Sequence, residues 1–162
     1  MKKALCIFSL SFYSLFVFSQ WMILPSGTTN HLESIFFIDI DTGYTVGWGG
    51  TILKTTDGGV IWTSLSSGTT DALYSVYFTD ASTGYVTGYT GTILKTTDAG
   101  ATWFYLQSGT IYPLYSVFFT DDTTGYVVGG DIFVPGIILK TTNGGTTWNV
   151  YPPITSMRRY NN

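Results

Sequence analysis

The side chains of this 162-residue chain that are equipped for chemistry are few, and their spacing decides what they can do. Three recur inside a repeated phrase: Asp57, Asp98 and Asn143, each two residues before a glycine (Gly59, Gly100, Gly145) and five before a tryptophan (Trp62, Trp103, Trp148). An Asp or Asn followed by Gly is turn chemistry, in which the short side chain accepts from amides ahead of it and the glycine takes a positive φ. The tryptophan brings a large apolar area and one N–H that wants a partner, which suits the seam between two packed sheets. All nine residues are therefore read as structural. Hydrolysis of a glycosidic bond needs two carboxylates facing one sugar ring. Asp71 and Asp131 reach the same end of the repeats, but Asp71 aligns with Asn30 and Tyr112, so no working pair is expected. Recognition of an acidic sugar would need clustered arginines, and the only ones, Arg158 and Arg159, stand together in the tail. His31 is the sole histidine, with no metal-ligand or triad partners around it, and Cys6 is the sole cysteine. No metal, cofactor, disulfide or thiol nucleophile is expected, and the glycines form no phosphate cradle.

The elements that must position these residues repeat as well. Trp21, Trp62, Trp103 and Trp148 are 41, 41 and 45 residues apart, a period that signals a repeat array. After each tryptophan comes a short strand to Ser-Gly-Thr (Ser26 to Thr28, Ser67 to Thr69, Ser108 to Thr110). A second strand carries Ile35 and Phe37, Val76 and Phe78, or Val117 and Phe119 on one face by the period of two. A turn ending in Thr-Gly-Tyr follows, whose Gly43, Gly84 or Gly125 is expected in a left-handed position, then a third strand to Gly47, Gly88 or Gly129. The fourth runs through Ile-Leu-Lys-Thr-Thr into the Asp/Asn-x-Gly turn. Four short antiparallel strands per unit with no helical periodicity describe a propeller blade. The expected fold is all-β, a propeller-type array of about three four-stranded blades, open or partial. The repeats span about 21–62, 63–103 and 104–148, within a domain of residues 20–153 followed by a tail, 154–162.

The chain opens Met-Lys-Lys and runs apolar from Ala4 to Phe18, which reads as a signal peptide over residues 1–19 and implies secretion to the periplasm or beyond. The run is too short to span a membrane, and none of that length follows. Its removal shifts the formal charge from -3 to about -5, which disfavours nucleic acid as a partner. Charged residues make up only 10% of the chain and aromatics 17%, with 19 glycines, a balance suited to tightly packed strands and glycine turns.

Thr55-x-Asp57-x-Gly59-x-x-Trp62 and its two copies resemble the Asp-box, or BNR repeat, of sialidases, sortilin-type receptors and xyloglucan-degrading propeller enzymes. The longer unit, Thr-Gly-Tyr-x-x-Gly followed by Gly-Thr-Ile-Leu-Lys-Thr-Thr-Asp-Gly-Gly-x-x-Trp, is most similar to repeats of the photosystem II stability and assembly factors and their secreted bacterial relatives. The resemblance implies a propeller whose box is a structural turn, not an enzyme. Departures are Ile61 for the box threonine, Asn143 for aspartate, and a repeat count below that of the family's closed propellers. The function expected is a secreted, non-catalytic module for protein binding or assembly assistance. The alternative is a glycan-binding remnant or subunit of a glycan-active Asp-box propeller protein.

Strand alternation places the box and Thr-Gly-Tyr turns at one end of the blades, leaving the variable loops at the other. Binding tends to sit on variable loops carried by a rigid scaffold. The candidate binding residues at that end are Trp48, Tyr89, Phe133, Asp131, His31, Asp71 and Tyr112. Three blades subtend too little of a circle to close, since rings hold roughly four to eight. The expected outcomes are an open arc that self-associates through its blade faces, or two copies joined in a larger ring.

Overall fold

The structure, a computed structural model, describes residues 23–151 apart from Phe133, and the side chains of Val134 and Pro135 are likewise outside it. The expected signal peptide, Trp21, Phe133 and the tail 154–162 lie outside the described residues.

Three antiparallel sheets of four strands follow one another along the chain. The first is β1 (Leu32–Phe37), β2 (Gly43–Gly47), β3 (Thr51–Thr55) and β4 (Thr63–Leu65). The second is β5 (Leu73–Phe78), β6 (Gly84–Gly88), β7 (Ile93–Thr96) and β8 (Phe104–Leu106). The third is β9 (Leu114–Phe119), β10 (Gly125–Asp131), β11 (Val134–Thr141) and β12 (Asn149–Val150). Each is a meander in chain order, so every strand pairs with its sequence neighbour, and among the described residues the sheets do not close into a ring. The sheet runs one strand later than the sequence repeat: the short strand after each tryptophan is the outer edge of the blade it leaves, not the start of the next.

The core lies between blades. Tyr44, Val46 and Ile52 on the trailing face of the first blade pack against Leu73, Val76, Phe78, Val86, Leu94 and Trp103 on the leading face of the second. Tyr85 and Ile93 meet Leu114, Val117, Phe119, Val127, Leu139 and Trp148 in the same way at the next seam. Tyr44 stacks on Phe78 with ring centroids 4.1 Å apart, and Tyr85 stacks on Phe119 at 4.1 Å. Trp103 and Trp148 stand edge-on to those phenylalanines, nearly buried, as expected of seam residues. Their indole N–H groups meet no acceptor among the described residues, contrary to the sequence expectation that the seam would satisfy them.

The glycines divide into two kinds. Gly59, Gly100 and Gly145 adopt φ of 91, 85 and 81°, as the turn chemistry requires. Gly43, Gly84 and Gly125 do not take the left-handed position expected of them. A Cβ at Gly84 would stand 2.5 Å from the Phe78 ring, and Gly43 and Gly125 meet Phe37 and Phe119 equally closely. Glycine is required there for close approach, because the aromatic ring of the paired strand lies flat against the backbone.

Candidate functional site

The box end is built from one threonine per blade. Thr55 Oγ1 donates to Asp57 Oδ1 at 2.8 Å and accepts from Gly59 N at 2.9 Å, while the same carboxylate oxygen accepts from Ile61 N at 2.9 Å. Thr96, Asp98, Gly100 and Thr102 repeat the arrangement, adding a bond from Thr102 Oγ1 to Asp98 Oδ2 at 2.6 Å. Asn143 preserves it by reversing one bond: its Nδ2 donates to Thr147 Oγ1 at 2.9 Å, while its Oδ1 still accepts from Thr141 and Thr147 N. The bond from Ile61 N leads the causes that hold the Asp57 carboxyl below its usual range, and the Thr102 hydroxyl does so for Asp98. Asp57 is bound into its own turn through Oδ1, and Asp98 through both carboxylate oxygens.

The preceding blade fastens onto this turn. Tyr44 Oη and Lys54 Nζ donate to the Ala99 carbonyl at 2.8 and 3.0 Å, and Tyr85 Oη and Lys95 Nζ donate to the Gly144 carbonyl at 2.9 and 2.8 Å. In each pair the ammonium also lies 5.3 Å from the centroid of the tyrosine ring. The box turn is thus the socket for a Tyr-Lys pair on the blade before it. A local motif gives no hint of this contact, because the partners stand 45 to 59 residues apart.

At the opposite end the three blades differ. In the first, the His31 and Trp48 rings lie 5.2 Å apart, and Trp48 Nε1 donates to Glu33 Oε1 at 2.6 Å. Asn30 Nδ2 donates to Thr51 Oγ1 at 2.8 Å and ties the loop down. In the second, Asp71 takes over that duty, with Oδ2 accepting from Thr90 and Thr92 hydroxyls at 2.6 and 2.7 Å. Asp71 is thereby spent on its own loop. In the third, Tyr112 is half-buried with its amide in a turn, and Asp131 accepts from the next amide, Ile132 N, at the tip of the extended β10–β11 hairpin. Each candidate carboxylate is bound within its own blade.

Two further residues join this end. Tyr74 and Tyr115 occupy the position of Glu33 on successive inner strands, with ring centroids 5.3 Å apart. Partial burial raises the Tyr74 hydroxyl above its ordinary range, helped by Tyr115, Tyr89, Glu33 and Asp71 nearby. Trp48, Tyr89 and Tyr115 are each about half exposed. The structure therefore gathers Tyr89 and Asp71, from the candidate set, around Tyr74 with Glu33 and Tyr115, and sets Trp48 between His31 and Glu33. The signal was present in the register of Leu-Glu-Ser, Leu-Tyr-Ser and Leu-Tyr-Ser, where the middle residue points away from the seam. Around the rim run aromatic faces interleaved with two carboxylates. Among the described residues no group of three or more His, Cys, Asp or Glu side chains is placed to hold a metal ion.

Fold and turns together define a repeat protein of the Asp-box propeller class. The chain belongs to the family described as Photosynthesis system II assembly factor YCF48, whose model matches residues 60–154. The chain is similar to YCF48 bound to D1 peptide, at 23% identity and a TM-score of 0.67 over 80% of its length. It is similar to YCF48 from Cyanidioschyzon merolae, at 25% identity and 0.66 over 78%. It spans 41% of the length of each of those chains. The GH74 enzyme of Niastella koreensis shares the fold at 20% identity and a TM-score of 0.59, with 75% of this chain matching 23% of that one. No curated protein matches the sequence.

Proposed function

We propose that the chain is a secreted, non-catalytic binding module that takes an extended peptide segment of a protein partner on the rim formed by Trp48, Tyr74, Tyr89 and Tyr115. The observation that carries this reading is the interleaving of half-exposed aromatics with Glu33 and Asp71. Aromatic faces beside carboxylates suit the lysine or arginine side chains and apolar residues of a peptide, through cation–π contact and charge. Membership of the assembly-factor family supports the reading, as does the peptide held by a related structure. A neutral glycan is the second reading, favoured by exposed stacking aromatics and by the GH74 likeness. The acidic rim disfavours anionic sugars.

The exported chain is to be titrated against a panel of basic-apolar peptides and against xyloglucan oligosaccharides. Peptide binding that falls roughly tenfold in Trp48→Ala and Tyr115→Ala, with the melting temperature unmoved, is the expected result. Binding of oligosaccharides alone selects the second reading. Equal loss from Asp98→Asn with the fold intact would place the ligand at the box end. Export is checked by the N-terminus of the protein recovered outside the cytoplasm, expected near Gln20.

A further inference from the structure

Among the described residues the same seam is made twice, and the two halves of a third are left uncovered. On the trailing face of the third blade, Tyr126, Val128 and Ile138 align with Tyr44, Val46 and Ile52, and with Tyr85, Thr87 and Ile93, all of which are buried. Val128 and Ile138 instead stand 42 and 40% exposed. Lys140 lies 5.4 Å from the Tyr126 ring centroid, poised as Lys54 is over Tyr44, with no next box turn to receive the pair among the described residues. On the leading face of the first blade, Leu32, Ile35 and Phe37 are 39, 60 and 40% exposed where Leu73, Val76 and Phe78 are nearly fully buried. The box turn of that blade presents Gly58, exposed and in the position of Ala99, with no Tyr-Lys pair on it.

We infer that these two faces are partners, and that a second copy of this chain docks head to tail, seating Tyr126 Oη and Lys140 Nζ on the Gly58 carbonyl of its neighbour. The apolar sets match residue for residue those of the internal seams, and so do the donors and the acceptor. Two sets of the three described blades, joined at both faces, make six, inside the range of roughly four to eight at which propellers close, whereas three sets would exceed it. One adjustment is needed. Leu24 of the incoming copy lies near its own Gly59, the place Leu65 and Leu106 fill against Gly100 and Gly145. The edge strand β12, held by two bridged pairs, gives way to it. This surface is separate from the proposed ligand rim, so either reading can fail without the other.

The test is sedimentation velocity on the exported chain and three variants, each checked for a native circular dichroism spectrum and cooperative melt. The parent is expected to be a dimer at micromolar concentration. Ile35→Glu spoils only the leading face and Val128→Glu only the trailing face, so each alone is expected to be monomeric. Mixed together they restore a one-to-one heterodimer, because each retains the face the other lacks. Tyr126→Phe, which removes one hydroxyl and cannot prevent folding, is expected to weaken dimerisation about tenfold. A monomeric parent overturns the inference, whether further blades of the natural chain or nothing at all covers the face. Self-association of either glutamate variant at parental strength, or a mixture that stays monomeric, overturns it equally.

Discussion

At the box end, three copies of one turn share one hub: the amide of Gly59, Gly100 or Gly145 reaches its threonine hydroxyl at 2.9 Å each time. At the loop end the same alignment gives an asparagine tether, an aspartate tether and an extended hairpin. The difference follows from what each end must touch. A box turn is the socket for the neighbouring blade, so its shape is fixed by a partner that is itself repeated. A loop at the other end meets the next blade through its backbone, as where Gly50 N donates to the Asp71 carbonyl at 2.8 Å, while its side-chain tether stays within its own blade and varies from copy to copy. Uniformity marks the end that holds the molecule together, and variation marks the end free to meet something else.

The largest effect expected from breaking this contrast is at Trp103, which closes the box hairpin and lies in the seam. Trp103→Ala should cost about 3 to 5 kcal/mol in urea denaturation, and a loss below about 1 kcal/mol would show that the seam does not depend on it. Next is the threonine hub. Thr96→Val leaves the buried Gly100 amide without its acceptor and should cost about 1 to 3 kcal/mol, whereas Asp71→Ala at the opposite end should cost less. Equal losses would erase the distinction between the ends.

Acid sharpens the comparison, because the carboxylates with depressed values cluster in the turns of the box end. Burial raises the Asp80 carboxyl, but bonds from the Ser82 hydroxyl and amide and the Thr83 amide outweigh it and bring it to about 2, below the ordinary 3.8. Asp121 and Asp39 are lowered by the same kind of turn. Their folded-state values lie below the unfolded ones, so their contribution is complete above the unfolded value and is lost as pH falls towards the folded one. The melting temperature should hold steady down to about pH 5 and drop below about pH 4. Asp121→Asn should flatten that drop, and an unchanged profile would remove these turns from the account.

A smaller effect, of opposite sign, is expected inside a seam. Thr87 is fully buried with no partner for its hydroxyl among the described residues, at the position where the other blades carry Val46 and Val128. Thr87→Val should stabilise by about 1 kcal/mol in the same denaturation experiment. Smallest of all, Trp48→Ala at the loop end should move stability by less than about 0.5 kcal/mol.

The strands, the box turns and the seam tryptophans were legible in the sequence because alternation and turn chemistry are local. Gly59 needs nothing beyond its own hairpin to demand a positive φ. Gly43 was misread because its constraint comes from Phe37, which reaches it only once the strands pair. The Tyr44 and Lys54 pair escaped for a stronger reason of the same kind: its acceptor belongs to the next blade. At the loop end, Trp48, Tyr89 and Asp71 stood out as unlike residues at like positions. Glu33, Tyr74 and Tyr115 sit within an otherwise uniform strand, and only the register of that strand turns them to the rim.

The reversed bond at Asn143 gives the chain a chemical memory. Asparagine followed by glycine ordinarily ages through attack of the glycine nitrogen on the side-chain carbonyl, which converts the amide to an acid. Here the Gly144 N–H is engaged by the Thr123 carbonyl at 2.9 Å, and the Asn143 Oδ1 is held by Thr141 and Thr147. While the turn is intact the attacking amide keeps its proton on Thr123 and the side-chain carboxamide is held in one orientation. Conversion at this one position, read by mass spectrometry, therefore accumulates only during the time a molecule spends with its third box open.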